Sequence, residues 1–170
     1  MEAVSNACAK ERVLLGQAEE GAYKSISAAA TVNGHGIVAY SNLDVNLAKQ
    51  MNILLADFGV KLENVLMDPL MAALGMGLEY SYSVNERIRL AALMGDRMLQ
   101  APMLCDLTSA WETREATEEN DAWGDVTERG AWWEATTGLA ALLSGADLLI
   151  VRHPRCLEIL QDAITELRGE

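Results

Sequence analysis

Residues 67–100, MDPLMAALGMGLEYSYSVNERIRLAALMGDRMLQ, indicate the fold more clearly than any other part of the chain. They open at the end of a short apolar run, where Asp68 and Pro69 direct the backbone out of a β-strand. A glycine-containing loop follows at residues 74–77, and an amphipathic pattern of helical period comes after it. The stretch therefore predicts one strand, one loop and one α-helix in succession.

The start of that helix carries a Tyr-Ser repeat. We expect Ser81 or Ser83 to be its N-cap, because a side-chain oxygen there accepts a bond from a free backbone N–H. Glu79, Tyr80 and Tyr82 then lie just before or at the helix start. Two interpretations of the tyrosines stay open: phenols beside a cofactor pocket, or rings packed inward with the hydroxyl at the surface.

The same succession recurs along the chain, where short apolar runs alternate with helical patterns, as βα units of a parallel sheet require. Asp44 is the expected N-cap of the helix after the second strand, and Pro154 fits the first turn of the last helix. An apolar stripe on that last helix is expected to face the sheet; it comprises Leu157, Leu160, Ile164 and Leu167. Five strands are predicted, at residues 13–16, 37–40, 65–67, 103–105 and 148–151.

Composition and charge exclude several classes of partner. The chain is 51% hydrophobic and 22% charged, and its net charge is −12. Such a charge disfavours nucleic acid and anionic membranes, and the longest apolar region, residues 139–151, is too short to span a bilayer. We expect a cytoplasmic protein with no nucleic-acid or membrane partner. Three widely spaced cysteines indicate reduced thiols, and no clustered Cys or His motif predicts a metal site.

Acidic side chains are concentrated in residues 106–128, which hold eight acids and one base. We interpret this acidic segment as one long loop after the fourth strand, at the end of a parallel sheet where barrel enzymes build their sites. A solvated excursion is the simpler interpretation of it, and a lid or docking element is the alternative, to which Trp111 and Trp123 add some support because tryptophan is unusual in solvated loops.

Asp68 is the residue whose position most suggests chemistry, because it ends the third predicted strand. A side chain there either contacts a ligand or braces the glycine loop by accepting its N–H groups. Gly75 and Gly77 either let the backbone approach a ligand or only provide turn geometry, since G-x-G alone is a weak signal. His153 is more simply a hydrogen-bonded structural residue than a ligand.

Taken together, residues 67–100 resemble the small (delta) subunit of the corrinoid iron–sulfur protein of the CO dehydrogenase/acetyl-CoA synthase complex. The likeness continues through AYKSISAAA (residues 22–30), DVNLAKQMNILL (residues 44–55) and ERGAWWEATTGLAALLSGADLLIVRHP (residues 128–154). It covers nearly the whole chain, although none of these motifs is a catalytic fingerprint.

The resemblance implies a (β/α)8 TIM barrel, which usually needs at least ~200 residues. The chain has 170 residues and five predicted strands, so we expect a single partial-barrel domain over residues 1–170 that corresponds to the last five strands. Three interpretations remain: a fragment of a longer gene product, which we favour, a half-barrel completed by another polypeptide, or self-association through open barrel edges.

The resemblance also implies a role in methyl transfer. The family's small subunit pairs with a large (gamma) subunit and helps to cover its corrinoid (cobalamin). The pair carries a methyl group from a methyl-tetrahydropterin or folate to acetyl-CoA synthase, in acetyl-CoA synthesis or cleavage. Transient contacts with acetyl-CoA synthase and the methyltransferase follow, and no iron–sulfur cluster is expected in this chain. The expected role is non-catalytic or part-catalytic, within carbon dioxide fixation or methanogenesis.

By the same resemblance, the residues at the barrel mouth near the corrinoid are Gln17, Glu20, Asn42, Asp68, Gly75, Gly77, Glu79, Tyr80 and Arg152. Two other functions stay open. A pterin-dependent methyltransferase barrel binds the pterin through strand-end Asp and Asn groups, of which Asn42, Asp68 and Asp106 qualify. A purely structural subunit of the complex needs none of them.

Overall fold

A computed structural model describes residues 1–169 as an α/β fold with parallel strands. The strands are β1 (Leu14–Ala18), β2 (Gly36–Tyr40), β3 (Val65–Asp68), β4 (Leu104–Asp106) and β5 (Leu148–Ile150). The helices are α1 (Glu2–Ala7), α2 (Tyr23–Asn33), α3 (Val45–Asp57), α4 (Leu78–Leu93), α5 (Arg114–Thr117), α6 (Val126–Leu143) and α7 (Pro154–Arg168), with short 3-10 turns at Leu62–Asn64, Arg97–Leu99, Thr108–Glu112 and Asp121–Trp123. Each predicted strand is confirmed to within two residues at either end.

Neighbouring strands follow the order of the chain. β1 pairs with β2 and β2 with β3, while β4 pairs with β5, all in parallel. A single parallel bridge between Met67 and Met103 joins the two sheets, and the Met67 N–H donates to the carbonyl of Pro102 at 2.8 Å. Parallel pairing places the carboxyl ends of all five strands at one edge.

Alternate residues along each strand face opposite sides, as a pleated strand requires. One set packs beneath the helices: Ile37 and Met103 are completely buried in two adjoining apolar clusters. The other set, which includes Val38 and Leu104, lines an open cavity on the far side of the strands. Helices therefore cover one face of the strands, and the opposite face is concave and open.

Two helix starts lie where the sequence predicts them. The Asp44 carboxylate accepts the N–H groups of Asn46 and Leu47, which caps α3, and Pro154 is the first residue of α7. The expectation for the last helix is partly wrong, because Leu157 and Leu167 are 46% and 62% exposed. α7 packs along α6, and among the described residues no further helix covers its other side.

The start of α4 is also corrected. The helix begins at Leu78 with Gly77 as its N-cap, so Glu79, Tyr80 and Tyr82 lie inside its first turns and not just before the helix. Ser81 caps nothing. It is buried, accepts the Ala72 N–H and donates to the Leu70 carbonyl, because the loop backbone passes close to this helix face.

Candidate functional site

The open cavity is lined by residues from all five strands. It has a volume of about 440 Å³. Its polar side chains, those of Gln17, Asp68 and Asp106, form a band at the carboxyl ends of the strands, and the other lining residues are apolar. We call these three side chains the polar band. The lining residues are Leu14, Gly16, Gln17, Val38, Asp68, Leu104, Asp106 and Ile150. Parallel α/β folds bind ligands at this end of their strands, so this edge is the candidate site.

Asp68 is the centre of the polar band. Its side chain is buried, one carboxylate oxygen accepts the Gln17 Nε2–H at 2.6 Å, and the other accepts the Leu70 N–H at 3.0 Å. Burial raises the pKa of the Asp68 carboxyl, and the nearby Asp106 carboxylate raises it further, against the two hydrogen bonds. The two carboxylates are therefore close enough to interact through the cavity.

Gln17 lines the same cavity as Asp68, but Glu20 and Asn42 do not. They line a neighbouring depression of about 450 Å³ beside the ends of β1 and β2. The Tyr40 hydroxyl donates to the Asn42 side-chain oxygen at 3.3 Å. Burial raises the pKa of Tyr40, and the Asp68 carboxylate adds to that increase. Tyr40 thus lies between the two groups and is a site residue that sequence reasoning missed.

The loop between β3 and α4 is not braced by the Asp68 carboxylate, which accepts only one loop N–H, that of Leu70. The α6 helix holds it instead. Thr137 accepts the Leu74 N–H at 3.2 Å, and the Trp133 indole N–H donates to the Leu74 carbonyl at 2.8 Å. Of the two interpretations left open for Asp68, the bracing of residues 74–77 through their N–H groups is therefore not what the structure shows.

Both predicted glycines of this loop have positive φ, at +82° for Gly75 and +99° for Gly77, which a side chain rarely adopts. Turn geometry thus requires them. Glu79 and Tyr80 project from the first turn of α4, and the Tyr80 side chain is 65% exposed. Their exposure at the carboxyl-end edge leaves them free to contact a partner.

Arg152 follows β5 and is exposed, with its guanidinium 5.7 Å from the centre of the Trp111 ring. Its backbone N–H donates to the carboxylate of Glu134, a completely buried residue of α6. The same carboxylate also accepts the His153 N–H and the indole N–H of Trp111. Sequence reasoning missed Glu134, because a single carboxylate in a helical pattern reads as solvent-facing. The imidazole of His153 accepts the Arg155 N–H, so this side chain is hydrogen-bonded, as expected for a structural residue.

The acidic segment is not one long loop. It contains a 3-10 turn at Thr108–Glu112, the short helix α5, a second turn at Asp121–Trp123 and the start of α6. Ala110 and Ala116 are completely buried. The Arg129 guanidinium donates to several backbone carbonyls of the segment. These contacts order it against α6, which the lack of periodicity in the sequence could not reveal.

Comparison with known proteins identifies the family of this chain. The family model described as CO dehydrogenase/acetyl-CoA synthase delta subunit matches residues 1–162. The chain belongs to this delta subunit family. The acetyl-CoA decarbonylase/synthase complex subunit delta of Methanopyrus kandleri is 40% identical over 158 residues, which are 92% of this chain and 40% of that protein. The same subunit of Methanothermobacter thermautotrophicus is 40% identical over 163 residues, 95% of this chain and 42% of the relative.

This delta-family chain therefore spans about two fifths of the length of the curated relatives that it matches. A solved structure supports the fold alone. Dihydropteroate synthase from Stenotrophomonas maltophilia, with active site-bound imidazole, has a TM-score of 0.57 at 15% identity. The match covers 98% of this chain and 74% of that one. The expected family is confirmed by the family model and the curated relatives, and the solved structure agrees with the fold at the level of parallel α/β architecture.

Within the residues described for this family member, no group of three or more His, Cys, Asp or Glu side chains is arranged to hold a metal ion. No helix in residues 1–169 is long and apolar enough to cross a membrane. All three cysteines are free thiols. The lining of the candidate site consists of carboxylate, amide and apolar side chains, which suits hydrogen bonding and shape recognition.

Proposed function

We propose that this delta-family chain supplies five βα units of a (β/α)8 barrel whose carboxyl-end face covers a cobalamin held by a large (gamma) subunit. The observation that supports the proposal is the cavity that all five strands line, with Gln17, Asp68 and Asp106 at the carboxyl ends of their strands. Strands at both ends of the series reach the same cavity, so the sheet curves as a barrel wall does. In barrel proteins this end of the strands forms the site.

The chemistry of the polar band fits a corrinoid. The rim of a corrin ring bears amide side chains, whose N–H groups are donors for carboxylate and amide oxygens such as those of Asp68, Asp106 and Gln17. When bound, cobalamin supplies a cobalt that accepts and releases the methyl group. The exposed Tyr80 ring and the half-exposed Met76 side chain add apolar contact at the same edge. The chain's own residues exclude water and orient the cofactor, with no proton transfer assigned to them.

The proposed setting is methyl transfer from a methylated tetrahydropterin or folate to acetyl-CoA synthase. In that setting the large subunit holds the corrinoid, and acetyl-CoA synthase and the methyltransferase approach it in turn. The chain's mouth must therefore cover the cofactor without closing it permanently. Exposed mouth residues, such as Tyr80, Glu79 and Arg152, suit a contact that forms and separates.

A second candidate function is direct binding of the methylated pterin. The observation that favours it is the pair of strand-end carboxylates, Asp68 and Asp106, because an amino-oxo heterocycle presents N–H donors to such groups. Calorimetric titration of the chain alone with a methyl-tetrahydropterin distinguishes the two. Binding without any large subunit supports the pterin function, and its absence leaves the corrinoid-covering function as the better one.

The test of the proposed function is methyl transfer in a complex restored with the large subunit and acetyl-CoA synthase. Asp68→Asn, Glu79→Ala and Tyr80→Ala should each slow transfer about tenfold, which corresponds to ~1.4 kcal/mol of barrier. Glu63→Gln is the matched control, because Glu63 is an exposed carboxylate in the turn before β3, at the opposite end of the strands. Wild-type rates for all three mouth variants would show that the face does not contribute.

A further inference from the structure

The Arg152 side chain is packed against the Trp111 ring at the carboxyl-end edge. Its guanidinium lies 5.7 Å from the ring centre, a distance at which a cation is attracted to the face of an indole. Trp111 belongs to the 3-10 turn after β4, and Arg152 follows β5, so the contact joins the loops of two neighbouring strands. This stacking restricts a long side chain that is otherwise exposed.

Trp111 is itself fixed by helix α6. Its indole N–H donates to the buried Glu134 carboxylate at 2.9 Å. The ring also packs directly on Gly130, where an added Cβ would collide with it. The Glu134 carboxylate accepts the Arg152 N–H as well. One buried group therefore positions both the backbone of Arg152 and the ring beneath its guanidinium.

The Arg152 guanidinium has no ion-pair or hydrogen-bond partner within residues 1–169. Three other arginines, on α5, α6 and α7, are engaged by the chain itself. Arg114 and Arg155 form ion pairs with glutamates, and Arg129 donates to backbone carbonyls. The donors of Arg152 thus stay available to a ligand, although their position is fixed.

We propose that Arg152, held on Trp111, is an anion subsite that binds a phosphate or carboxylate group of a small molecule. A guanidinium binds such groups through two parallel N–H bonds, because its planar fork matches their geometry. In barrel proteins the loops after the last two strands frequently form a phosphate site, and in the proposed barrel these are the loops after β4 and β5. The identity of the ligand rests on the proposed function, whereas the anion site itself does not.

The surrounding charge favours one anionic group over an acidic protein surface. Residues 106–128 hold eight acidic side chains, which repel an extended surface of the same sign. Cobalamin carries a single phosphodiester in its nucleotide tail, and a folate-type methyl donor carries carboxylates in its tail. Either ligand thus presents an oxyanion apart from its ring system, and Arg152 anchors that anionic tail.

NMR spectroscopy of the isotope-labelled whole chain tests the subsite. Dimethyl phosphate represents the phosphodiester and glutarate the carboxylate tail, while sodium chloride at equal ionic strength measures screening alone. An oxyanion should shift the Arg152 Nε–H signal and the Trp111 indole N–H signal saturably, and chloride should not. Tighter binding of dimethyl phosphate indicates the nucleotide tail as the source, and tighter binding of glutarate indicates the methyl donor.

Variants of the exposed Arg152 side chain separate the site from general charge effects. Arg152→Gln should weaken anion binding, followed by the Trp111 indole signal, at least about tenfold, because hydrogen bonds to charged groups contribute this much or more. Arg152→Lys keeps the charge but loses the fork, so its affinity should be intermediate. Arg87→Gln is the matched control, since Arg87 is an exposed arginine of α4 that forms no ion pair within residues 1–169; it should bind like the wild type.

The proposal is overturned if neither oxyanion shifts the two signals more than chloride does, or if Arg152→Gln binds as tightly as Arg87→Gln. No large subunit, cobalamin or methyl donor is present in this assay. Anion binding without an effect of the mouth variants on methyl transfer would contradict the proposed function alone. Normal behaviour of the mouth variants without anion binding would contradict the subsite alone.

Discussion

Replacing Glu134 with alanine removes the acceptor that holds the loop between β5 and α7. The Glu134 carboxylate is completely buried and accepts three N–H groups, from Trp111, Arg152 and His153. A buried donor left without a partner costs about 1–3 kcal/mol. Because Arg152 lies at the surface, water can reach its N–H, so we count about two donors as lost and expect Glu134→Ala to destabilise the fold by roughly 2–6 kcal/mol.

Thermal unfolding followed by circular dichroism measures this loss. For a chain of this size, each kcal/mol shifts the Tm by about 2–4 °C, so the variant should melt at least ~4 °C lower. Glu134→Gln keeps the shape of the side chain and one acceptor oxygen, so its Tm should lie between the Tm of Glu134→Ala and that of the wild type.

The control is Glu86→Ala, which removes an exposed carboxylate from helix α4 and should change the free energy of unfolding by less than ~0.5 kcal/mol. Hydrogen exchange at the N–H groups of Arg152 and His153 gives a local readout and should accelerate in Glu134→Ala. If Glu134→Ala and Glu86→Ala melt together, the buried carboxylate does not hold this loop.

Three further outcomes are expected. Leu160→Ala should cost roughly 2–5 kcal/mol in chemical unfolding because Leu160 is buried, whereas Leu167→Ala, at an exposed site, should cost far less; equal losses would contradict the packing of α7. Burial raises the pKa of Cys105 and of Cys156 to about 12, so a thiol reagent at mildly alkaline pH should label only Cys8 in the folded chain, and rapid labelling of all three would refute their burial. The raised pKa of Asp68 means that the folded state holds its proton more tightly than the unfolded chain does, so this group's contribution to stability falls as pH rises above its ordinary pKa of 3.8. Asp68→Asn should therefore gain Tm relative to the wild type between acidic and neutral pH, and a constant difference would contradict the shift.

Patterns of neighbouring residues were enough to predict the strands and most helix ends. Apolar runs such as the one around Ile37 predict a strand because both faces of a parallel strand are buried, and Asp44 is identified as a cap by its own side chain. Such signals lie within a few residues of the feature that they predict. The same locality explains why the position of Asp68 at a strand end was also correct.

Contacts between distant residues were the part that the sequence could not supply. Glu134 lies 18 positions before Arg152, and no local pattern links a helix carboxylate to a loop N–H. The start of α4 was misplaced because serines at helical starts usually cap, whereas here Gly77 ends the loop and Ser81 turns inward. Ordering of the acidic segment depends likewise on Arg129, whose contacts span up to 14 positions.

Hydrogen exchange of the chain bound to the large subunit, compared with and without cobalamin, tests the central claim most directly. If the carboxyl-end face covers the cofactor, cobalamin should slow exchange in the loops that follow β1, β3 and β4, which begin after Ala18, Asp68 and Asp106. The turns at the opposite end of the strands, Leu62–Asn64 and Arg97–Leu99, should exchange at the same rate in both states. Protection confined to those turns, or no cobalamin-dependent change anywhere in the chain, would contradict the claim.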